Sequence, residues 1–362
     1  MAIKSLSLKI FLIAFLYFLS VLLGFTAPLL WEVSIQTLGF LLAGCLSILF
    51  FPSLFKSWLQ INLKPPFIYA FSTLLALYFA VSPLAHLVST LKIISYFSIG
   101  SVFSLAILHS SLFRYVLVGF SFVTLFLWSG ACFSFFDPYK SLIVHRYVCR
   151  PDIFASASSI SLFLAFSGIS LFPYYRIIGY LIGFASIFFG GFAGSAIFIV
   201  FAFRSRRMML FLVAASIIAL FLFVSPGSFE SLGSFSIRIK YLTDNIPYFF
   251  SPDVPFLIHG FGFTKDLSSF ALYGFTRFTD LSAFIRVIFD LGLIGLFVLF
   301  RFLYASYGNW GWFGFLCLLV ILLTFDTVHQ LWFVPLFICS MSSFVGFLNK
   351  PASSPKMLHL SS

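Results

Sequence analysis

Ile197-Phe198-Ile199-Val200-Phe201-Ala202-Phe203-Arg204-Ser205-Arg206-Arg207-Met208-Met209-Leu210-Phe211-Leu212 sets a knot of arginines between two apolar runs. A water-soluble core has no use for such a pattern repeated along a chain. A bilayer does, because each crossing needs about 20 apolar residues and the basic residues collect on the cytoplasmic side. The same alternation extends in both directions from this stretch. Of the 362 residues 61% are hydrophobic and 9% charged, against roughly 25% charged in soluble domains, and Phe alone occurs 56 times.

Apolar runs lie at 9–31, 33–55, 66–88, 90–109, 112–135, 153–172, 174–190, 192–203, 208–225, 280–300, 310–325 and 330–348. They predict an all-α polytopic transmembrane helical bundle of about 12 spans, a single integral membrane domain over residues 1–362. The run after Lys9 is too long for a signal-peptide core and reads as a retained anchor. With Lys4 and Lys9 inside, Lys56, Lys64, Arg114, Arg176, Arg204, Arg206, Arg207, Arg301, Lys350 and Lys356 also fall inside, and no carboxylate joins them. Both termini are then cytoplasmic. The net charge of +11 is this topology and not a nucleic-acid surface, since the bases alternate with apolar runs.

The arginine knot faces inward only if residues 174–203 cross twice. Gly190, Gly191 and Gly194 supply the break, so two short or partly re-entrant helices are expected there. The outer side carries two loops, 137–152 and a large one at 226–279. The large loop is turn-rich, with Pro226, Pro247, Pro252, Pro255, Gly260, Gly262 and Gly274, and a short helix is expected near Phe235–Tyr248. Its acids and bases balance, which suits local pairs. Cys45, Cys317 and Cys339 sit inside apolar runs, and Cys132 and Cys149, which bracket the shorter outer loop, either pair in an oxidising compartment or, the plainer reading, are two unrelated thiols.

Ionisable residues within a span are costly and require either a partner or a function. Arg286 and Asp290 are four apart on one helical face and can neutralise each other. They can equally belong to a group of charges at the outer boundary with Asp280, Arg277 and Arg238. Several guanidiniums near a carboxylate at headgroup depth suit a lipid-linked phosphate or diphosphate, which the planar arginine fork grips bidentately. Arg146 and Arg150, near His145 and Asp152, form a second such group or simply a solvated loop. His259 is a candidate base, against the plainer reading of a loop histidine on the surface. His86 reads as a hydrogen-bonded packing residue. No metal-ligand spacing, phosphate loop or nucleophile elbow is present in the sequence, so no cofactor is expected.

Four segments in order give the chain a resemblance to the O-antigen polymerase and ligase superfamily of bacterial envelopes. They are Gly191-Phe192-Ala193-Gly194-Ser195-Ala196, Ser236-Ile237-Arg238-Ile239, Ile258-His259-Gly260-Phe261-Gly262-Phe263, and Asp280-Leu281-Ser282-Ala283-Phe284 leading to Gly292-Leu293-Ile294-Gly295. The likeness covers roughly the C-terminal half. It implies a bacterial inner-membrane enzyme that transfers glycan from undecaprenyl diphosphate and polymerises O-antigen or exopolysaccharide repeats, with 226–279 periplasmic. Arg238 would contact the diphosphate, Asp280 would position or deprotonate an acceptor hydroxyl, and a flippase and a chain-length regulator would be partners. The ligase branch places a histidine where this chain has Leu281, which favours polymerase over ligase. A transporter or flippase of an envelope precursor is the reading outside enzymes.

Overall fold

The computed structural model describes residues 2–26, 35–62, 66–80, 82–135, 157–188, 192–203, 257–263, 283–324 and 333–348. Every regular element among them is helical: α1 Ala2–Thr26, α2 Ile35–Phe50, α3 Pro52–Asn62, α4 Pro66–Phe79, α5 Pro83–His109, α6 Ser111–Phe135, α7 Ala157–Leu171, α8 Arg176–Phe188, α9 Phe192–Phe203, α10 Ala283–Thr324 and α11 Val334–Leu348. Helices close their hydrogen bonds internally, which is what an apolar solvent demands of a backbone. By length and composition three can cross a membrane among the described residues, at Leu6–Leu23, Pro83–His109 and Arg286–Leu322. Large apolar side chains also point outward along several helices, including Leu49, Phe71, Tyr78, Phe126, Ile177 and Tyr304. A water-soluble monomer rarely exposes apolar surface on this scale, and lipid is the solvent that suits it.

α5 is the central strut, touching α1, α2, α3, α4, α6 and α11. Its inner face is lined by hydroxyls, and Ser95, Ser98 and Ser101 each return a hydrogen bond to their own helix at 2.8, 2.9 and 2.7 Å. That arrangement lets a polar residue sit in an apolar bundle without an unmet donor. Small residues then set how close the helices come. α7 and α8 touch backbone to backbone: a methyl on Gly168 would lie 2.7 Å from the Gly179 carbonyl oxygen.

Phenylalanine fills what the small residues leave. Phe18 of α1 stacks on Phe120 of α6 at 4.8 Å and meets Phe163 of α7 edge-on at 6.2 Å, while Tyr17 meets Phe103 of α5 at 5.1 Å. Offset and edge contacts of this kind add about 0.5–1.5 kcal/mol each beyond area burial.

Two of the basic residues are held by local contacts. Arg114 donates through Nε to the Ile107 carbonyl at 2.8 Å and through Nη2 to that of Leu108 at 2.7 Å, closing the C-terminus of α5. Its guanidinium lies 3.7 Å from the ring centroid of Tyr174, in the turn that leads to Arg176. Lys9 sits over the Phe50 ring at 5.1 Å, next to the helix that holds Lys56.

Several expected boundaries move. The run expected at 66–88 ends at Phe79, and α5 begins at Pro83, so His86 lies in the first turn of α5 and not at the end of a third span. Proline supplies the reason: it lacks an amide proton, fits the first helical turn and pushes the preceding residue out of helical geometry. The runs at 280–300 and 310–325 follow one another as helical stretches of α10, which is kinked by non-helical backbone at Gly292 and Gly311. α8 ends at Phe188 and α9 has the expected bounds; Gly190 and Gly191 lie outside the described residues, and Gly194, expected in the break, lies within α9. The apolar run 208–225, the helix expected near 235–248 and both outer loops, apart from residues 257–263, lie outside the described residues.

Candidate functional site

In an uninterrupted helix the carbonyls of Phe289 and Asp290 would accept from the amides of Leu293 and Ile294. Gly292, at φ 62 and ψ −153, parts these two pairs. The segment 257–263 enters the gap. Phe261 N donates to the Phe289 carbonyl and Gly262 N to the Asp290 carbonyl, both at 2.8 Å, while Leu293 N donates to Leu257 O at 3.1 Å and Ile294 N to Ile258 O at 3.3 Å. Two helical bonds are thus exchanged for four to the loop. Each of those four groups would otherwise be an unmet polar group, at about 1–3 kcal/mol apiece when buried.

The fit is steric as well as polar. A methyl on Gly260 would lie 2.5 Å from the Asp290 carbonyl carbon, one on Gly262 2.6 Å from Ala80 Cβ, and one on Gly292 2.7 Å from Gly260 N. Phe263 anchors the far end in a small apolar cluster with Ala76 of α4, Ile93 of α5 and Leu291 of α10. The family-like segments 258–263 and 292–295 are therefore one contact.

Two histidines flank this dock and are held in opposite ways. His86 is fully buried and stacks on Phe263 at 4.9 Å. Phe263 N donates to its Nδ1 at 2.8 Å, so Nδ1 holds the lone pair and Nε2 carries the proton, which is given to the Thr73 carbonyl at 3.2 Å. Both nitrogens are committed, as the packing reading anticipated. His259 lies flat on Phe79, with ring centroids 4.0 Å apart and 13° between planes. Its Nδ1 is 2.7 Å from the Gly260 carbonyl, which can only accept, so Nδ1 is protonated and Nε2 carries the basic lone pair. The reading of His259 as a surface residue is corrected, since it is only 9% exposed.

Arg286 and Asp290 form the ion pair that their spacing allowed. Arg286 Nε donates to Oδ2 at 3.0 Å; Oδ1 lies 2.9 Å from the same nitrogen but outside hydrogen-bonding direction, and it has no other partner among the described residues. Asp290 is fully buried and Arg286 is 3% exposed. Breaking such a pair from one side strands a buried charge, at a cost of about 3–5 kcal/mol. Asp290 serves twice, holding Arg286 with its carboxylate and the loop with its main-chain oxygen.

Of the residues singled out from the sequence, the structure brings Arg286, Asp290 and His259 to one dock. Asp280, Arg238, Arg277, Arg146 and Arg150 lie outside the described residues. Sequence reasoning passed over Gly292 as a helix break and His86 as a support for the loop. The signals were a histidine in an apolar run and a glycine two residues beyond a buried acid. Compared with protein-family models, curated proteins and solved structures, the chain matches none.

Proposed function

We propose that this chain is a polysaccharide polymerase of the bacterial inner membrane, a glycosyltransferase that moves an oligosaccharide from undecaprenyl diphosphate to the terminal sugar hydroxyl of another lipid-linked repeat. The observation that carries the reading is His259, pinned between Phe79 and the Gly260 carbonyl so that its basic Nε2 is preset beside a helix break that buries a guanidinium. In the reaction the acceptor oxygen bonds to the anomeric carbon as the bond from that carbon to the diphosphate oxygen breaks. His259 takes the hydroxyl proton, and arginines steady the charge that grows on the leaving diphosphate.

The resemblance adds Asp280 as a second group on the acceptor and Arg238 as a diphosphate ligand, and the placement of charge in the sequence adds Arg277, Arg286, Arg146 and Arg150 as further phosphate contacts. The reading includes about 12 spans, cytoplasmic termini, a periplasmic 226–279 loop, and a flippase and chain-length regulator as partners. A ligase-type transfer to another acceptor uses the same chemistry. A transporter is the second reading, favoured by one specific feature: a broken helix with an intramembrane ion pair at the break.

The test is full-length protein in liposomes with a defined undecaprenyl-diphosphate oligosaccharide. Polymerisation is read as lengthening of the glycan, and His259→Ala should slow it by about 10²-fold or more. Movement of the lipid-linked substrate between leaflets with no lengthening would replace the proposal with transport.

A further inference from the structure

We infer that His86 is a positioning residue for His259, acting through the backbone of the loop between them; this rests on the proposed role of His259. The path is short. His86 Nδ1 accepts from Phe263 N at 2.8 Å, Phe263 stacks on the His86 ring, and the chain running back from Phe263 reaches His259 through Gly262 and Gly260, whose methyls would strike Ala80 and the α10 backbone. The four loop-to-α10 bonds fix the middle of the segment against the helix break. They leave the Phe263 amide, just beyond Gly262, for α5 to hold. His86 is the group that holds it, and its Nε2 bond to Thr73 O sets the tautomer that makes Nδ1 an acceptor.

The ring adds a directional polar tie to three elements that also pack around Phe263: α4 through Thr73, α5 through its own backbone, and the loop through Phe263. Loss of the acceptor frees the C-terminal end of the loop. His259 then loses its fixed attitude on Phe79, which is itself the last residue of α4. A misplacement of about 1 Å at a proton-transfer group is enough to lower turnover by around 10²-fold. Bound substrate feels it less, because the loop bonds to α10 are intact.

Two polar variants separate the two ends of the ring. His86→Asn places an oxygen near the Nδ1 position and keeps an acceptor for Phe263 N, while His86→Gln places its amide near Nε2, keeping Thr73 but leaving Phe263 N unmet. Amide hydrogen exchange on full-length protein in nanodiscs reads loop attachment without any substrate. In His86→Gln the Phe263 amide should exchange about tenfold faster than in wild type, one lost hydrogen bond's worth, while the Phe261 and Gly262 amides, still bonded to α10, should change little. In His86→Asn all three should stay near wild type, and α7 and α8 amides should be unchanged in both, which reports that the bundle is folded.

Glycan lengthening in liposomes is the second readout. His86→Gln should lower kcat by tenfold or more with KM within about twofold, and His86→Asn should restore most of kcat. Unchanged exchange at the Phe263 amide in His86→Gln overturns the inference, as does loosened exchange with undiminished kcat. A wild-type protein that lengthens nothing defeats the proposed function instead, and the exchange result then still decides whether His86 holds the loop.

Discussion

α10 is broken at two glycines with nearly the same backbone, Gly292 at φ 62, ψ −153 and Gly311 at φ 69, ψ −165, yet their surroundings are opposite. A methyl added at Gly292 would drive into the Ile258 carbonyl and the Gly260 amide, whereas one added at Gly311 would have nothing within 4 Å. Both positions lie in a region of backbone space that only glycine occupies at ease. The first glycine is therefore required for conformation and for room, the second for conformation alone. A break in a helix becomes a site only where another segment arrives to take up the parted hydrogen bonds.

Substitutions can break this contrast, and the largest effect is expected at the dock. Gly292→Ala combines about 1–3 kcal/mol of strain with about 1–3 kcal/mol of overlap against backbone that has no rotamer to escape into. Unfolding in mixed micelles should show a loss of about 4 kcal/mol; a loss equal to that of Gly311→Ala would mean the loop does not sit in the break. Asp290→Ala should cost about 3 kcal/mol by stranding the Arg286 charge. Restoring stability by pairing it with Arg286→Met would show that the pair is structural, whereas a double variant that folds but lengthens no glycan would assign the guanidinium to substrate.

Smaller effects sharpen the comparison at the other break. Gly311→Ala should cost about 1–2 kcal/mol from strain alone, visible as a modest fall in the melting temperature of detergent-solubilised protein. Gly308, one turn earlier, also has open space around its would-be methyl but carries no positive φ. Gly308→Ala should stabilise by about 0.5–1 kcal/mol through helix propensity. A destabilised Gly308→Ala would show that openness at this end of α10 is not what separates the two breaks.

Much of the architecture could be read from local pattern. Helical class follows from apolar runs of bilayer length, and the apolar run that ends at the arginines coincides with Phe192–Phe203. The division between α4 and α5 was misplaced because hydropathy runs unbroken across Ser82-Pro83, where backbone chemistry and not polarity ends a helix. The Arg286–Asp290 pair was legible from its i, i+4 spacing. The dock was not, since the amides and carbonyls of residues 257–262 carry no side-chain signature of where they bond. The tautomers of His86 and His259 likewise depend on partners, and for His86 that partner is 177 positions away in the chain.

That interval has a consequence for biogenesis. Arg114 secures the end of α5 within a few residues of its own emergence, using carbonyls at 107 and 108. His86 waits for an amide made 177 residues later, which at about 5–20 residues per second is roughly 10–35 seconds of synthesis. Throughout that delay a polar ring stands in the first turn of an inserted helix with its eventual ligand unmade, and whatever insertase or water serves it meanwhile must yield when the loop arrives.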